Sequence, residues 1–445
     1  MVIRVGGACQ NATMPQNSTM PSLWRNRPYV YLLSGETVSS FGAMITHVAL
    51  PITAVTYLAA TEFQVGVLGA AESAAFLFLA LPAGAWVDRM SHRRVMIAAN
   101  IARSGLLGLI PLAWALHILS IGWLMWVALG VGVCRVFFDV AYMSIVPSLV
   151  PKAQLTEANS RLQATLEVAN IAGPSAGGFL AKVVSAPLLP LASVIGFVSS
   201  AFAIWRIPEP VVTRSEAPRH LRREIREGVE FVWHQPLIRP VVLAAMTSNL
   251  FGTIAFTMFP VLALREFGLG SGAYGLIMTA GSFGAITGAL LGPILARRFG
   301  EGHAVPMATI ASGVFAFVVP CSFLVPRPVA PYVLGLGSFL MLVGIVAFNI
   351  TQVSLRQRVC PPRLLGRMNA TIRFAIWGVM PVSALLSGAI ASAIGLAATF
   401  WIGAVGELLS AAFVVFSPLW GLKTIQDYDE AATVEGMAEV PPPVL

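Results

Sequence analysis

Twelve apolar runs, each 20 residues or longer, fill this sequence almost end to end and leave it few folds to choose from. They fall at about 29–59, 66–87, 94–116, 121–148, 159–182 and 187–206, and then at about 238–264, 272–296, 303–325, 331–355, 368–392 and 396–421. A helix needs about 20 mostly apolar residues to cross a bilayer. In hydrocarbon every backbone N–H and C=O must be satisfied within its own segment or a closed barrel, so runs of this length read as helices. Only 11% of residues are charged, against about 25% in a soluble chain. The surface must therefore face lipid. The expected fold class is an all-α integral membrane protein with twelve transmembrane helices.

Alternate loops differ sharply in Lys and Arg. One set holds Arg25 and Arg27, then Arg89, Arg93 and Arg94, then Lys152 and Arg161. It continues through the Arg206–Arg239 segment, Arg297 and Arg298, and Arg356, Arg358, Arg363 and Arg367. The other set holds little beyond Lys182, Arg265 and Arg327. The basic side is the cytoplasmic one, so both termini and the central loop are expected inside. This asymmetry also accounts for the net charge of +8 without nucleic acid as a partner. The four cysteines, Cys9, Cys134, Cys321 and Cys360, are scattered, which gives no zinc or disulfide pattern. No phosphate-binding G-x-x-x-x-G-K-[ST] occurs, and no nucleophile–base arrangement stands out. A non-enzymatic protein with no metal or cofactor is expected.

The chain repeats itself. Ser40-Phe41-Gly42 matches Leu250-Phe251-Gly252 at an offset of 210 residues, as do Pro151 and Pro361, Asn159 and Asn369, and Gly178 and Gly388. Gly84 matches Gly292 at 208. Two pseudo-symmetric six-helix bundles follow, with a site between them near the midplane. The expected organisation is a disordered cytoplasmic N-terminus (1–28), a first bundle (29–207), a cytoplasmic linker (208–237), a second bundle (238–421) and a cytoplasmic tail (422–445). In the linker Ile225, Val229 and Val232 recur at helical spacing among charges, which predicts an amphipathic helix on the inner membrane surface.

Charged groups inside a bilayer are costly and mark function. Here they are Glu36, His47, Glu72, Arg103, Arg135, Asp139, Glu167, Arg373 and Glu407. Most lie in the first half, where proton coupling is expected. Arg135 and Asp139, at i and i+4, share a helix face and can pair. Glu36 lies about two turns inside the first run. These three are the expected coupling residues. Asn249, Phe256, Asn349, Gln352, Arg373 and Trp377 are expected to line a cavity whose mix of rings and amides suits an amphiphile better than a sugar. The stretch Asn170–Gly178 holds Gly173, Pro174, Gly177 and Gly178, a bent, close-packing segment.

Gly84–Arg94 reads G-A-W-V-D-R-M-S-H-R-R. It resembles the loop signature of the major facilitator superfamily, a resemblance that extends over nearly the whole chain after residue 28. This implies that Gly84, Asp88, Arg89, Arg93 and Arg94 form a cytoplasmic gate holding the outward-facing state. The counterpart Gly292–Arg298 carries Ala296 where the aspartate would stand, so the second copy is degenerate. Gly173-Pro174-x-x-Gly177-Gly178 resembles the span-5 signature of drug:proton antiporters. Ser40–Gly42, V-P-K-A-Q-L-T-E-A-N (Val150–Asn159) and E-G-V-E-F-V-W (Glu227–Trp233) resemble the branch of macrolide-efflux and enterobactin-export proteins. Members of that branch often keep an acid where this chain has Ala43, so either Glu36 or Asp139 takes the proton role instead, or coupling differs from the branch.

The resemblance implies a monomeric proton-coupled exporter of lipophilic or amphiphilic small molecules in the plasma membrane, working by alternating access. Its partners would be a small-molecule substrate, protons and the lipid bilayer. A dedicated siderophore or secondary-metabolite exporter remains an alternative within transporters. A non-transporting membrane receptor on the same fold is the alternative from another class.

Overall fold

The computed structural model describes residues 23–87, 89–151, 154–209, 221–361 and 364–421. The expected terminal tails lie almost wholly outside them. The helices are α1 (Arg27–Ile52), α2 (Glu62–Val87), α3 (His92–Ala115), α4 (Ile121–Leu149), α5 (Leu155–Val183), α6 (Pro190–Trp205) and α7 (Leu221–His234). They continue with α8 (Ile238–Val261), α9 (Ser271–Phe299), α10 (Glu301–Ala316), α11 (Ala330–Val359), α12 (Leu365–Gly378), α13 (Met380–Ile394) and α14 (Leu396–Val415).

Among the described residues, 11 helical segments are long and apolar enough to cross a membrane. The fifth helix, α5, is 29 residues long but carries Glu157, Arg161, Glu167 and Lys182. Its length is enough to span a bilayer, and it packs on α1 and α9. The run expected at 368–392 is two helices, because the chain breaks at Val379, ahead of Pro381. Pro381 lacks the N–H that would continue α12.

Asn26, Ser91 and Ser120 start α1, α3 and α4, each accepting a backbone N–H three residues on. Pro51 and Pro260 sit just before two π-helical turns, Thr53–Tyr57 and Leu262–Glu266, which extend α1 and α8. A proline removes one helical hydrogen bond, and the wider turn absorbs the mismatch. Past these turns Ala60 N donates to Ala54 O and Leu269 N to Ala263 O, both at 2.9 Å. The repeat read from isolated glycines and prolines thus extends to the hydrogen-bond pattern.

The packing repeats as well. In the first half α1 packs on α5 and α6, α3 on α4 and α6, and α2 on α4. In the second, α8 packs on α13 and α14, α10 on α11 and α14, and α9 on α11. The halves meet through α2 on α13 and α5 on α9, two contacts related by the same pseudo-twofold. One apolar core at the π-turn end runs through both halves, including Val48, Leu50, Val261, Leu262 and Phe400. At the opposite end each half keeps its own core, around Tyr29, Met96 and Ile145 in one and Ile238, Val305 and Met368 in the other. The bundles are therefore fused at the π-turn end and separate at the end that carries Arg89–Arg94 and α7.

Candidate functional site

A cavity of about 480 Å³ lies between the bundles, lined mainly by the first half and by Arg373 and Trp377 of α12. Its volume suits a drug-sized ligand, for which pockets run from about 300 to 1,000 Å³. On α1, Glu36, Ser40, Ala43 and His47 recur at helical spacing and all reach the lining. Ser40 Oγ donates to Glu36 Oε1 at 3.4 Å. Glu36 Oε2, Arg103 Nε and Tyr142 Oη are buried without a protein hydrogen-bond partner.

Arg103 is the buried cation of the site, at 6% exposure. Its guanidinium lies between two rings, 4.4 Å from Phe138 and 4.2 Å from Phe197. It donates to Asn100 Oδ1, and Asn100 in turn donates to Ser200 Oγ at 3.0 Å. Arg103, Asp139 and Arg135 all stand within electrostatic range of Glu36. The expected Arg135–Asp139 pair is present but loose, at 3.7 Å, with side chains 60% and 42% exposed. A pair this open contributes little and can exchange partners. Arg373 lies within range of Asp139 from the other bundle. It stacks 4.4 Å over Trp377, whose ring packs 5.0 Å from Phe76 of α2.

The structure brings Glu36, Arg135, Asp139, Arg373 and Trp377 into one cavity, joined by Glu72, Arg103 and His47. Asn249, Phe256, Asn349 and Gln352 are absent from its lining. Asn249 donates to Ala245 O within its own helix, and Gln352 donates to Asn349 Oδ1. Phe256 meets His47 across the halves, ring centroids 6.1 Å apart. Glu167 lies elsewhere on α5, accepting from Gln163 at 2.7 Å.

The span-5 glycines are packing positions. A Cβ on Gly173 would overlap Met44, and one on Gly177 would meet Ile45 at 3.2 Å. Gly178 lies against Gly275 of α9, while α5 runs through Pro174 without a break. At the same fused end Arg265 binds Glu62 at 2.9 Å and also donates to Ala60 O. Ser271 Oγ donates to Ala181 O at 3.1 Å, and Thr279 Oγ1 to Ser175 Oγ at 2.7 Å. Sequence reasoning treated Arg265 as a loop charge. The matched spacing of Gly66 and Gly275 could have flagged this seam.

At the other end Arg93 donates to Ile204 O and Trp205 O, covering the C-terminal carbonyls of α6. Arg94 reaches Glu209 at 3.4 Å. Ser91 and then the Arg94 and Arg93 charges hold the Glu209 carboxyl below its ordinary range. Arg89 is exposed, and among the described residues Gly84 has no neighbour within 4 Å of a Cβ position. Asp88 lies outside the described residues.

Two like bundles around a central cavity, fused at one end and parted at the other, define an alternating-access membrane transporter. The chain belongs to the Major Facilitator Superfamily, whose sequence profile matches residues 32–382. It is similar to the multidrug efflux pump Tap of Mycolicibacterium fortuitum, 25% identical over 409 residues, 88% of this chain and 96% of that protein. In structure it resembles a bacterial homologue of the iron transporter ferroportin in an inward-facing state, with a TM-score of 0.70, 17% identity, and 89% and 99% of the two chains covered. Against an outward-facing state described in the same terms the TM-score is 0.55, at 17% identity with 87% and 98% covered.

Proposed function

We propose that this transporter is a proton-coupled exporter of lipophilic and amphiphilic small molecules. It works as a monomer in the plasma membrane, with both termini and α7 on the cytoplasmic side. The basic residues Arg89, Arg93, Arg94, Arg297 and Arg298 at the parted end support that orientation. The fused π-turn end is then the outer one, and the structure is inward-facing. The similarity to a multidrug efflux pump supports the direction and the substrate class.

One observation carries the reading. Glu36, buried and with one oxygen unpartnered, shares a cavity with Arg103, Arg135, Asp139 and the aromatic surface of Trp377. A proton on Glu36 changes the charge of the chamber that a lipophile enters. Loss of that charge removes an anion that Arg103 and Arg135 face and that repels Asp139, and so alters the balance between states. One proton falling through about 100 mV yields about 2.3 kcal/mol. That is enough to concentrate a substrate some tens-fold.

The test is transport of ethidium in proteoliposomes under an imposed pH difference. Wild-type protein should accumulate the dye against its gradient. Glu36→Gln should lose pH-driven accumulation and keep passive exchange. No accumulation of ethidium, rhodamine 6G or a macrolide under any pH difference would overturn the proposal.

A further inference from the structure

The two bundles carry different chemistry at the same pseudo-symmetric place. In the first, Arg103 of α3 stacks on Phe197 of α6. In the second, 209 and 210 residues on, Ser312 of α10 meets Glu407 of α14. A buried cation among rings in one half answers to a buried acid in the other.

Glu407 is 4% exposed. Its Oε1 accepts hydrogen bonds from Ser248 Oγ of α8 at 2.7 Å and Ser312 Oγ at 2.8 Å. Its Oε2 is buried with no partner and points towards Gly252, where a Cβ would stand 3.8 Å away. Beside it is a void of about 20 Å³, walled by Phe251, Gly252, Met341 and Gly403. That volume is room for about one water molecule.

Among the described residues no cation stands within ion-pair distance of Glu407. The helices packed on α14 are α8, α10 and α13. Between Arg239 and Arg265, α8 carries no titratable side chain, and α13 carries none. On α10 the titratable residues are Glu301 and His303, the latter about two and a half turns before Ser312, with its ring against Trp420. Cys321 is the titratable residue of the short helix Pro320–Leu324 that also touches α14. Glu36 has three charged neighbours; Glu407 has two hydroxyls, one open oxygen and apolar walls. An ionised carboxylate with no counter-charge is among the costliest groups to bury. A proton on Oε2 removes that cost and leaves both serine hydrogen bonds intact.

We propose that Glu407 is a second proton-binding site, in the C-terminal bundle, occupied in the inward-facing state and exchanged once per transport cycle. The proton is taken from water and sits on Oε2; the carboxylate re-forms when the bundles reorient and the proton leaves. The exchange per cycle rests on the proton-coupled reading above, whereas the site itself does not.

Two measurements on the full-length protein test this. Infrared difference spectra across a pH titration should show a protonated-carboxyl band that Glu407→Gln removes and Glu407→Asp keeps. In vesicles with the membrane potential clamped at zero, each proton exchanged multiplies the limiting ethidium ratio about tenfold per pH unit. Glu407→Gln should therefore lower that ratio about tenfold per pH unit, and Glu407→Asp should restore it even if slower. A spectrum unchanged in Glu407→Gln overturns the site. An unchanged limiting ratio overturns its place in the cycle. If wild-type protein shows the band but no pH-driven accumulation, the site stands and the proton-coupled reading falls.

Discussion

Gly178 and Gly275 meet backbone to backbone at the fused seam, where a Cβ on Gly275 would stand 2.7 Å from Gly178 Cα. The pseudo-symmetric pair does the same, since a Cβ on Gly66 would stand 2.8 Å from Gly388 Cα. Only residues without a side chain allow helices this close. Gly178→Val should therefore cost the inward-facing state about 1–3 kcal/mol through overpacking. The populations shift outward by about fivefold to a hundredfold. A Ser40→Cys reporter in a background without native cysteines reads this, as faster labelling by an impermeant thiol reagent added outside.

Arg265 and Glu62 latch the same seam, with side chains 34% and 27% exposed. Solvent discounts such a pair to about 1 kcal/mol or less. Arg265→Gln should raise outside labelling of the Ser40→Cys reporter a few-fold. High salt should shrink the difference between variant and wild type, because partly exposed pairs are screened. The charge-swapped pair Glu62→Arg with Arg265→Glu should recover most of the closure.

Much of this seam was legible in the sequence, and some was not. Gly178 and Gly388 stand out because the repeat sets them 210 residues apart. Their partners Gly66 and Gly275 also stand a repeat apart, at 209 residues, but nothing local shows which helices they touch until the bundles are docked. Glu36 and Asp139 are legible because a charge in an apolar run is conspicuous. Asn249, Asn349 and Gln352 are polar too, but an amide can satisfy itself on its own helix, as Asn249 does on Ala245 O. Polarity alone therefore does not say which face a residue takes. The asymmetry of the cavity, with the second half contributing Arg373 and Trp377, appears only once the two bundles are docked. No local pattern encodes that docking.

Arg103 should be a stability residue as well as a chemical one. Its replacement by Leu removes the cation between Phe138 and Phe197 and leaves Glu36 with one fewer counter-charge. The expected loss is about 2–4 kcal/mol. It would be read as a lower thermal midpoint in detergent. Adding Glu36→Gln should recover part of the loss, because the stranded charge is then gone. A double variant no more stable than Arg103→Leu alone would show that the two residues act independently.

Trp377 and Arg373 should divide substrate binding from charge balance. Trp377 offers a planar apolar surface, and Arg373 stacks on it while facing Asp139. Trp377→Ala should raise the apparent KM for ethidium by about tenfold, the worth of one aromatic contact surface. Its pH profile should not move. Arg373→Ala should shift the pH profile of transport, because it removes a charge that Asp139 faces.

Gly84 poses the converse of Gly178. In this structure a Cβ there meets none of the described residues within 4 Å, so Gly84→Val should fold with an unchanged thermal midpoint and bind dye from the inner side. Alternating access requires the parted end to close in the other half of the cycle. If Gly84 belongs to the gate, closure brings a neighbouring helix against it. Valine would then block that step as surely as it blocks the fused seam at Gly178. The variant should therefore bind ethidium with near wild-type affinity yet transport it at least about tenfold more slowly, and the outside labelling of the Ser40→Cys reporter should fall. Equal transport by Gly84→Val and wild type would remove Gly84 from the inner gate and leave the close approach there to other residues.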